Sequence, residues 1–267
     1  MASPRYDFHI HTKYLGCGNA TMEIPAIVRE CERLGVTCLG ITDHLNSLDK
    51  LELHTPIRRD IETLQTDIEV YFGVELNFTG CDQGFPFSEA IQEQTGFQFA
   101  IGGIHSAYLQ QYDAQKLVKI QHRHHLATCR DPLVQVLVHP YWFPKGEFEA
   151  GGWPTFDSMR LVPERFVREL GQTARETNTA IEINGAAVLS SPHSSKSFLE
   201  EYVEFLSILT EEGVVFSVGS DSYDLSHFAT IEDTWEAVDR LHLSPDRVWR
   251  PEGKPMIGRN SSEGKDI

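Results

Sequence analysis

Histidines and carboxylates recur in this 267-residue sequence at the ends of short apolar segments. They are His9, His11, His44, Glu75, His105, His139 and Asp221. Imidazole nitrogens and carboxylate oxygens together suit zinc, iron or manganese as bound ions. A single histidine in such a place is usually a hydrogen-bonded core residue. Core packing does not explain why six successive or nearly successive segments end in a metal-ligating side chain, so the pattern predicts a metal centre.

The spacing within these segments supports metal binding. His9 and His11 are two residues apart in an extended segment, so both side chains point to one face. Glu75 has two oxygens and can bridge two ions, which lie about 3.5–4 Å apart in two-metal hydrolases. The sequence therefore favours a centre that holds more than one ion.

Seven apolar segments, six of which carry these residues at or near their ends, have the pattern of buried parallel strands covered by helices. They cover residues 5–11, 37–44, 68–78, 97–105, 133–139, 179–185 and 213–221. Helical patterns occur at 25–35, 56–66, 113–128, 163–177, 198–213 and 230–243. Seven alternating units favour a closed or nearly closed barrel over an open sheet. The active site of such a barrel lies at the carboxyl ends of its strands.

No linker divides the chain. We expect one barrel domain over residues 1–250 and a polar, Gly- and Ser-rich tail at 251–267. Residues 143–160 are rich in Gly, Pro and aromatic side chains, which predicts a long loop near the active face, a candidate lid. The HRHH stretch at 122–125 lies in a predicted helix, and we expect its histidines to face solvent.

The chain is strongly acidic. It contains 39 Asp and Glu residues against 23 Lys and Arg, a formal net charge of −16 with His neutral. This charge weighs against nucleic acid and membranes as partners, but a small phosphorylated substrate could bind through cations. The five cysteines form no C-x-x-C pair, and neither a secretory signal pattern nor an apolar run of 18 residues is found. We therefore expect a cytoplasmic protein.

The order of the motifs resembles that of the PHP (polymerase and histidinol phosphatase) family. The matching segments are DFHIHT (7–12), ITDH (41–44), GVELN (73–77), GGIHS (102–106), LVHP (137–140), EING (182–185) and VGSDS (218–222). The resemblance implies a single-domain, distorted (β/α)7 TIM-like barrel. It also implies two or three divalent metal ions, for which zinc, manganese and iron are the candidates.

The resemblance further implies how the ligands are divided. The ligands of the first ion would be His9, His11, Glu75 and Asp221. Glu75 would bridge to a second ion that His105 and His139 also hold. The third position, which would use His44, departs from the family pattern.

The departures at the third position concern two ligands. Gly16 and Tyr223 stand where many members have Asp and His. Cys17, next to Gly16, is a candidate replacement because a thiolate is a strong metal ligand. We therefore expect two tightly held ions and a third that is weakly held or absent.

These features predict a metal-dependent phosphoesterase. It would hydrolyse a small phosphorylated metabolite, a phosphomonoester, by attack of a metal-bound hydroxide. His44 and Glu75 are the expected catalytic residues, with His44 holding the phosphate or protonating the leaving alkoxide. Lys13 and Arg160 are the candidate substrate-binding cations, and surface ion pairs are their alternative role.

Two alternatives stay open. Another metal-dependent hydrolase, of amidohydrolase or phosphodiesterase type, would use a similar set of ligands. A degenerate PHP domain that binds metal without catalysis would explain the missing ligands at Gly16 and Tyr223. Turnover of a generic phosphomonoester in added manganese separates these cases, since a pure binding module shows none.

Overall fold

A computed structural model describes residues 5–191 and 194–258. Its eight strands, numbered β1 to β8 in chain order, are Tyr6–Ile10, Cys38–Ile41, His44–Leu45, Glu69–Asn77, Phe99–Gly103, Val136–Leu137, Ala180–Asn184 and Phe216–Gly219. The α-helices among these residues, α1 to α8, are Ile24–Leu34, Thr55–Glu62, Glu89–Thr95, Ala114–Cys129, Lys145–Gly151, Glu164–Thr177, Lys196–Glu211 and Ile231–Arg240. Short 3₁₀ turns lie at Leu48–His54, Met159–Leu161, Leu225–Thr230 and Pro245–Arg247, and a π turn at Gly185–Leu189.

The strands form one parallel sheet that is nearly closed into a barrel. Seven of them follow the order β1-β2-β4-β5-β6-β7-β8, and the short β3 pairs with β4. Residues that follow the last strand, β8, connect it to the first strand, β1. Ile10 bridges to Ser222, and the Asp221 N–H donates to the His9 carbonyl at 2.8 Å. The predicted single-domain, distorted (β/α)7 TIM-like barrel is confirmed.

Residues alternate between the two faces of the sheet. Outward residues such as Leu39 join the main core beneath the helices, whereas Tyr71 and Phe99 belong to a second cluster inside the barrel. The Phe99 ring fits against two glycines. A Cβ at either Gly40 or Gly73 would lie 2.5 Å from Phe99 Cζ. These positions therefore need glycine for space inside the barrel.

Strand β1 breaks its own alternation once. Phe8 belongs to the inner cluster and Ile10 to the outer core, although two residues of a regular strand would share a face. The pairing of β1 with β2 is irregular between Asp7 and Ile10. An irregularity of this kind re-aims side chains. It lets His9 face the interior as Phe8 does, with His11 following at the barrel mouth.

The described part of the predicted tail is attached to the barrel. Ile257 pairs antiparallel with Val70, and the Met256 N–H donates to the Val70 carbonyl at 2.9 Å. Just before this segment, the Trp249 ring lies 5.3 Å from that of Phe8. Residues 249–257 thus cover the amino-terminal end of the barrel. Residues 259–267 of the predicted tail lie outside the described residues.

The prediction that the histidines of residues 122–125 face solvent is wrong. His122, His124 and His125 are 5%, 3% and 1% exposed. His122 Nδ1 lies 3.1 Å from the Tyr141 hydroxyl, and His125 Nε2 accepts from the Tyr141 N–H at 3.4 Å. Tyr141 thus replaces water for His122 and for Nε2 of His125, whereas Nδ1 of His124 and Nδ1 of His125 make no hydrogen bond among the described residues. None of the described helices is long and apolar enough to cross a membrane.

Candidate metal centre

The seven predicted ligands come together at the carboxyl ends of the strands, around Glu75. This side chain is fully buried. Its two oxygens lie between 2.9 and 3.4 Å from one ring nitrogen each of His9, His11, His44, His105 and His139. The barrel topology therefore brings five imidazoles from four strands or strand ends to one carboxylate.

The first group of ligand atoms combines two imidazoles with two carboxylates. His9 Nε2 and His11 Nε2 are 3.1 Å apart. Both lie near Glu75 Oε2, at 3.2 and 3.4 Å, and near Asp221 Oδ1, at 3.5 and 3.3 Å. Ligands about 2.0–2.1 Å from a tetrahedral ion are about 3.3–3.4 Å from one another. These five separations, from 3.1 to 3.5 Å, are close to that spacing.

A second group of ligand atoms surrounds the other oxygen of Glu75. Oε1 lies 3.1 Å from His105 Nε2 and 3.2 Å from His139 Nε2. The two imidazoles, whose centroids are 5.0 Å apart, converge at the same barrel mouth. His44 Nδ1, 2.9 Å from Oε2, also groups with Glu75 and His105 within 4.8 Å.

The third group combines a thiol with two imidazoles. Ligand atoms of His11, Cys17 and His44 lie within 4.8 Å of one another. Tyr223 lies beside them, with its ring stacked on His11 at 4.2 Å and its hydroxyl 3.2 Å from His44 Nε2. Burial raises the pKa of the Cys17 thiol to about 11, which disfavours the thiolate in the absence of a cation.

Several polar atoms of the candidate ligand residues lack the hydrogen bonds that buried polar atoms normally make. They are Glu75 Oε2, Asp221 Oδ1, His11 Nδ1, His44 Nδ1 and His139 Nδ1. Burying a carboxylate oxygen without a partner is costly unless a cation compensates it. The two orphaned carboxylate oxygens are also the ones that face His9 and His11. The donor set therefore fits a divalent ion on chemical grounds as well as by spacing.

The charges at the centre depend on one another. Burial opposes ionisation of Glu75, but His44, His9 and His105 outweigh it and hold the pKa of this carboxyl well below its usual range. Burial lowers the pKa of His11 to about 4. A neutral imidazole has a free lone pair, which is the form that ligates metal. His11 is therefore already in its ligating state near neutral pH.

Two residues of the seventh strand orient the ligands. Glu182 Oε1 lies 2.7 Å from His9 Nδ1, and its Oε2 accepts from the His139 N–H at 2.8 Å. Asn184 donates to both Glu182 and Asp221, at 2.9 and 3.2 Å. A Cβ at Gly219 would lie 2.4 Å from Glu182 Oε1, so this glycine leaves room for the contact.

The sequence contained a signal for these orienting residues. The EING motif ends the sixth predicted strand, where the other strands carry ligands, yet Glu182 and Asn184 were not among the candidate site residues. Asn77, the last residue of the GVELN motif, is another orienting residue that was not among the candidates. Its Oδ1 lies 3.2 Å from His105 Nδ1. Second partners of this kind fix the orientation and tautomer of a ligating histidine.

The candidate substrate-binding cations lie outside this cluster, in ion pairs. Lys13 Nζ is 2.7 Å from Glu23, and Arg160 is 3.1 Å from Glu201. Lys145, in the predicted lid segment, is 3.1 Å from Glu149. A role for Lys13 or Arg160 in substrate binding stays a prediction.

The PHP domain family model matches residues 7–186 of the chain. No curated protein is similar enough to count as a match. Among solved structures, a candidate histidinol phosphatase, HisK, from Listeria monocytogenes superposes with a TM-score of 0.63 at 13% identity, over 83% of this chain and 96% of that one. A D-hydantoinase gives a TM-score of 0.38 at 11% identity, over 81% of this chain and 46% of that one. The similarity to HisK supports the barrel fold.

Proposed function

The chain belongs to the PHP domain family, and on that premise we propose that it is a metal-dependent phosphoesterase acting on a small phosphomonoester. The observation that carries the proposal is the convergence of five imidazoles on the buried carboxylate of Glu75. PHP domains are metal-dependent, and the chain has side-chain groups that could hold metal ions.

The proposed ligands are those that the family resemblance implies, and the short separations between their ligand atoms support the proposal. One ion would be held by His9, His11, Glu75 and Asp221. A second would be held by Glu75, His105 and His139, and His44 with Cys17 would serve a weaker third position. Bound divalent ions would acidify a coordinated water and offset negative charge on phosphoryl oxygens. Zinc, manganese and iron all suit this mixture of imidazole and carboxylate.

The chain's own residues would position the substrate at the solvent-facing side of the centre. The side chains of His44 and His105 are 13% and 18% exposed, whereas those of His9, His11 and His139 are at most 3% exposed. The phosphoryl group would therefore approach beside His44. Burial alone would lower the pKa of His44, but the nearby Glu75 carboxylate outweighs burial and raises this pKa. The protonated ring is therefore favoured.

Hydrolysis then needs one bond to form and one to break. A water oxygen bonds to phosphorus as the bond from phosphorus to the alcohol oxygen breaks. The departing oxygen takes a proton, for which His44 is the proposed donor when the weak third metal position is empty. The proton that the attacking water gives up passes to solvent, from which His44 is protonated again. Acid–base assistance of this type contributes about 10²–10⁴-fold to a rate.

The test is turnover of p-nitrophenyl phosphate by the purified chain, measured with added Mn²⁺, with Zn²⁺ and after chelation. We expect turnover that chelation abolishes and that either metal restores. Bound metal without turnover of this or any other phosphomonoester would contradict the proposal. Such a result would support the degenerate metal-binding domain, in which Tyr223 occupies space beside His11 and His44.

A further inference from the structure

A cavity of about 390 Å³ lies beside the metal centre. Its walls come from the segment that follows β6, from the turn that follows β7 and from helix α7. Aromatic rings dominate the walls, among them Trp142, Phe143, Phe148, Phe156, Phe198 and Tyr202. Ligand cavities in proteins commonly have about this size and an apolar, aromatic lining. We refer to it as the aromatic cavity.

The aromatic cavity borders the metal centre through neighbouring residues. The Trp142 ring, part of its wall, lies 5.1 Å from the His139 ring and 6.0 Å from the His105 ring. On the other side, the lining residue Ala187 donates its N–H to Asn184 Oδ1 at 2.9 Å. Asn184 in turn contacts Asp221. A molecule held at the centre therefore has the cavity next to it.

One polar group on the cavity wall lacks a partner. Tyr202 lines the cavity and is 1% exposed, and its hydroxyl makes no hydrogen bond among the described residues. Buried hydroxyls in proteins are normally satisfied. A wall built from side chains alone would leave this group unpaired, whereas a ligand in the cavity could supply an acceptor or donor.

The lining also disfavours some ligands. Among the described residues, the charged side chains on the wall are Lys145 and Asp157. Lys145 is already paired with Glu149 at 3.1 Å. The other polar side chains of the lining include Thr155, Ser191 and Ser194, which are outnumbered by its aromatic rings. A sugar or a second phosphate, which needs many polar or cationic partners, therefore suits this wall less well. An aromatic or bulky apolar group matches it.

We infer that the aromatic cavity binds the leaving-group side of the substrate, and that the substrate is the phosphomonoester of an aromatic or bulky apolar alcohol. The inference rests on the proposed phosphoesterase function and adds the substrate class. With the phosphoryl group beside His44 and His105, the alcohol portion would extend past Trp142 into the cavity. Specificity would then come from ring contacts with side chains such as Phe198.

The test compares 2-phenylethyl phosphate with ethyl phosphate on the Mn²⁺-loaded protein. The two alcohols have similar acidity, so the ratio of their kcat/KM values reports contacts with the ring. We expect a preference for the phenylethyl ester on the order of tenfold to a hundredfold. Equal kcat/KM values for the two esters would overturn the inference.

Two variants locate the preference. Phe198→Ala removes a wall ring and Ala187→Trp fills the cavity, and each should reduce the preference to within about threefold. Phe87→Ala is the matched control, because Phe87 is a partly buried aromatic residue that packs on the main core away from the cavity. It should keep the full preference. Retention of the preference in both cavity variants would contradict the inference, even if one of them folded poorly.

A binding measurement separates this inference from the proposed function. A calorimetric titration of the purified protein with 2-phenylethanol measures binding and needs no catalysis. If no phosphomonoester is hydrolysed, the proposed function fails. The cavity assignment is still supported if the alcohol binds the wild type and Phe87→Ala but binds Ala187→Trp at least about tenfold more weakly. Absence of binding to the wild type, or equal binding to Ala187→Trp, would overturn it.

Discussion

Two groups of buried histidines can be compared in the described residues, the five around Glu75 and the three on helix α4. Both groups are largely shielded from water, although the side chains of His44 and His105 are 13% and 18% exposed. Around Glu75, ring nitrogens face carboxylate oxygens that have no hydrogen bond of their own. On α4, His122 bonds to Tyr141 and to Glu169 of α6, and His124 packs against the rings of Phe78 and Tyr108.

The difference teaches that histidine density does not identify a metal centre. The HRHH stretch is the densest histidine run in the sequence, yet no buried carboxylate converges with its rings in the described structure. The proposed centre takes its histidines from separate strand ends, and Glu75 gives them a common acceptor. A shared buried anion with unsatisfied atoms therefore separates a candidate metal site from histidines that are part of the packing.

The largest expected effect contrasts the two carboxylates that serve these groups. Glu75→Gln removes the anion shared by five imidazoles and should lower kcat/KM for a phosphomonoester by at least about 10³-fold. Glu169→Gln changes a half-exposed carboxylate that contacts only His122 among the α4 histidines. The kcat/KM of this variant should stay within about threefold of the wild-type value. Steady-state kinetics on both variants is the measurement. Similar losses would break the comparison.

Metal removal should have the next largest effect. A ligand that binds only the folded state at 100 to 1,000 times its Kd adds about 2.7–4.1 kcal/mol to the free energy of unfolding. For a chain of this length that corresponds to a fall in Tm of about 5–15 °C on chelation. Differential scanning calorimetry with and without chelator measures it.

The α4 histidines supply the control for this shift. His122→Gln should show the same fall in Tm on chelation as the wild type, because His122 lies outside the proposed centre. An unchanged wild-type Tm would argue against bound metal. A shift abolished by His122→Gln would place the metal on α4 instead.

A smaller effect is expected for Glu182, one of the residues that orient the proposed ligands. Glu182→Gln weakens the contact to His9 Nδ1 without touching the proposed ligand atoms. Metal affinity should fall about 10–100-fold, as is typical for such orienting partners. Titration with a chromophoric chelator gives the affinity. Glu176→Gln, an exposed carboxylate on α6, is the control and should leave affinity unchanged. Unaltered affinity in Glu182→Gln would show that His9 is oriented by other contacts.

The smallest effect concerns pH and the α4 group. Burial lowers the pKa of His124 to about 4, against a usual value of 6.5. The unfolded chain therefore binds a proton between pH 6.5 and 4 that the folded chain does not, and stability falls as the pH is lowered through this window. The contribution of one such histidine is about 1–2 kcal/mol.

Replacing His124 tests this pH dependence. The free energy of unfolding of His124→Phe, from urea titrations at pH 6.5 and 4.5, should fall less on acidification than that of the wild type. Phenylalanine is uncharged and packs against the same rings. An identical fall in both proteins would show that His124 does not contribute to acid sensitivity.

The sequence predicted the strands well because their positions follow from short-range pattern. Each predicted strand contains an observed one, and the seven candidate ligands come together because parallel strands share one carboxyl edge. The short helix Glu89–Thr95 was missed, since it buries no residue and has no apolar stripe. Helix α4 was placed well, but its buried face includes Gln121 and Thr128 as well as histidines. Hydropathy therefore could not indicate that face.

The grouping of ligands depends on geometry that no local pattern records. The family resemblance assigns His44 to a third ion, whereas in the structure it also groups with Glu75 and His105. That arrangement depends on how far each side chain extends from its strand end. The bulge in β1 is a similar case, because its effect on His9 arises from pairing with a strand about 30 residues away along the chain.

The junction between the first and last strands has a consequence for how the protein folds. His9 and His11 lie near the start of the chain and Asp221 lies more than 200 residues later, held to them by the Asp221 N–H and the His9 carbonyl. Contacts between residues so far apart in sequence form slowly, because the whole intervening chain must first be brought together. A nascent chain on the ribosome could not complete the first ligand group until nearly all of the barrel had been synthesised. High-affinity metal uptake should therefore be among the last events of folding, and its rate would report when the barrel closes.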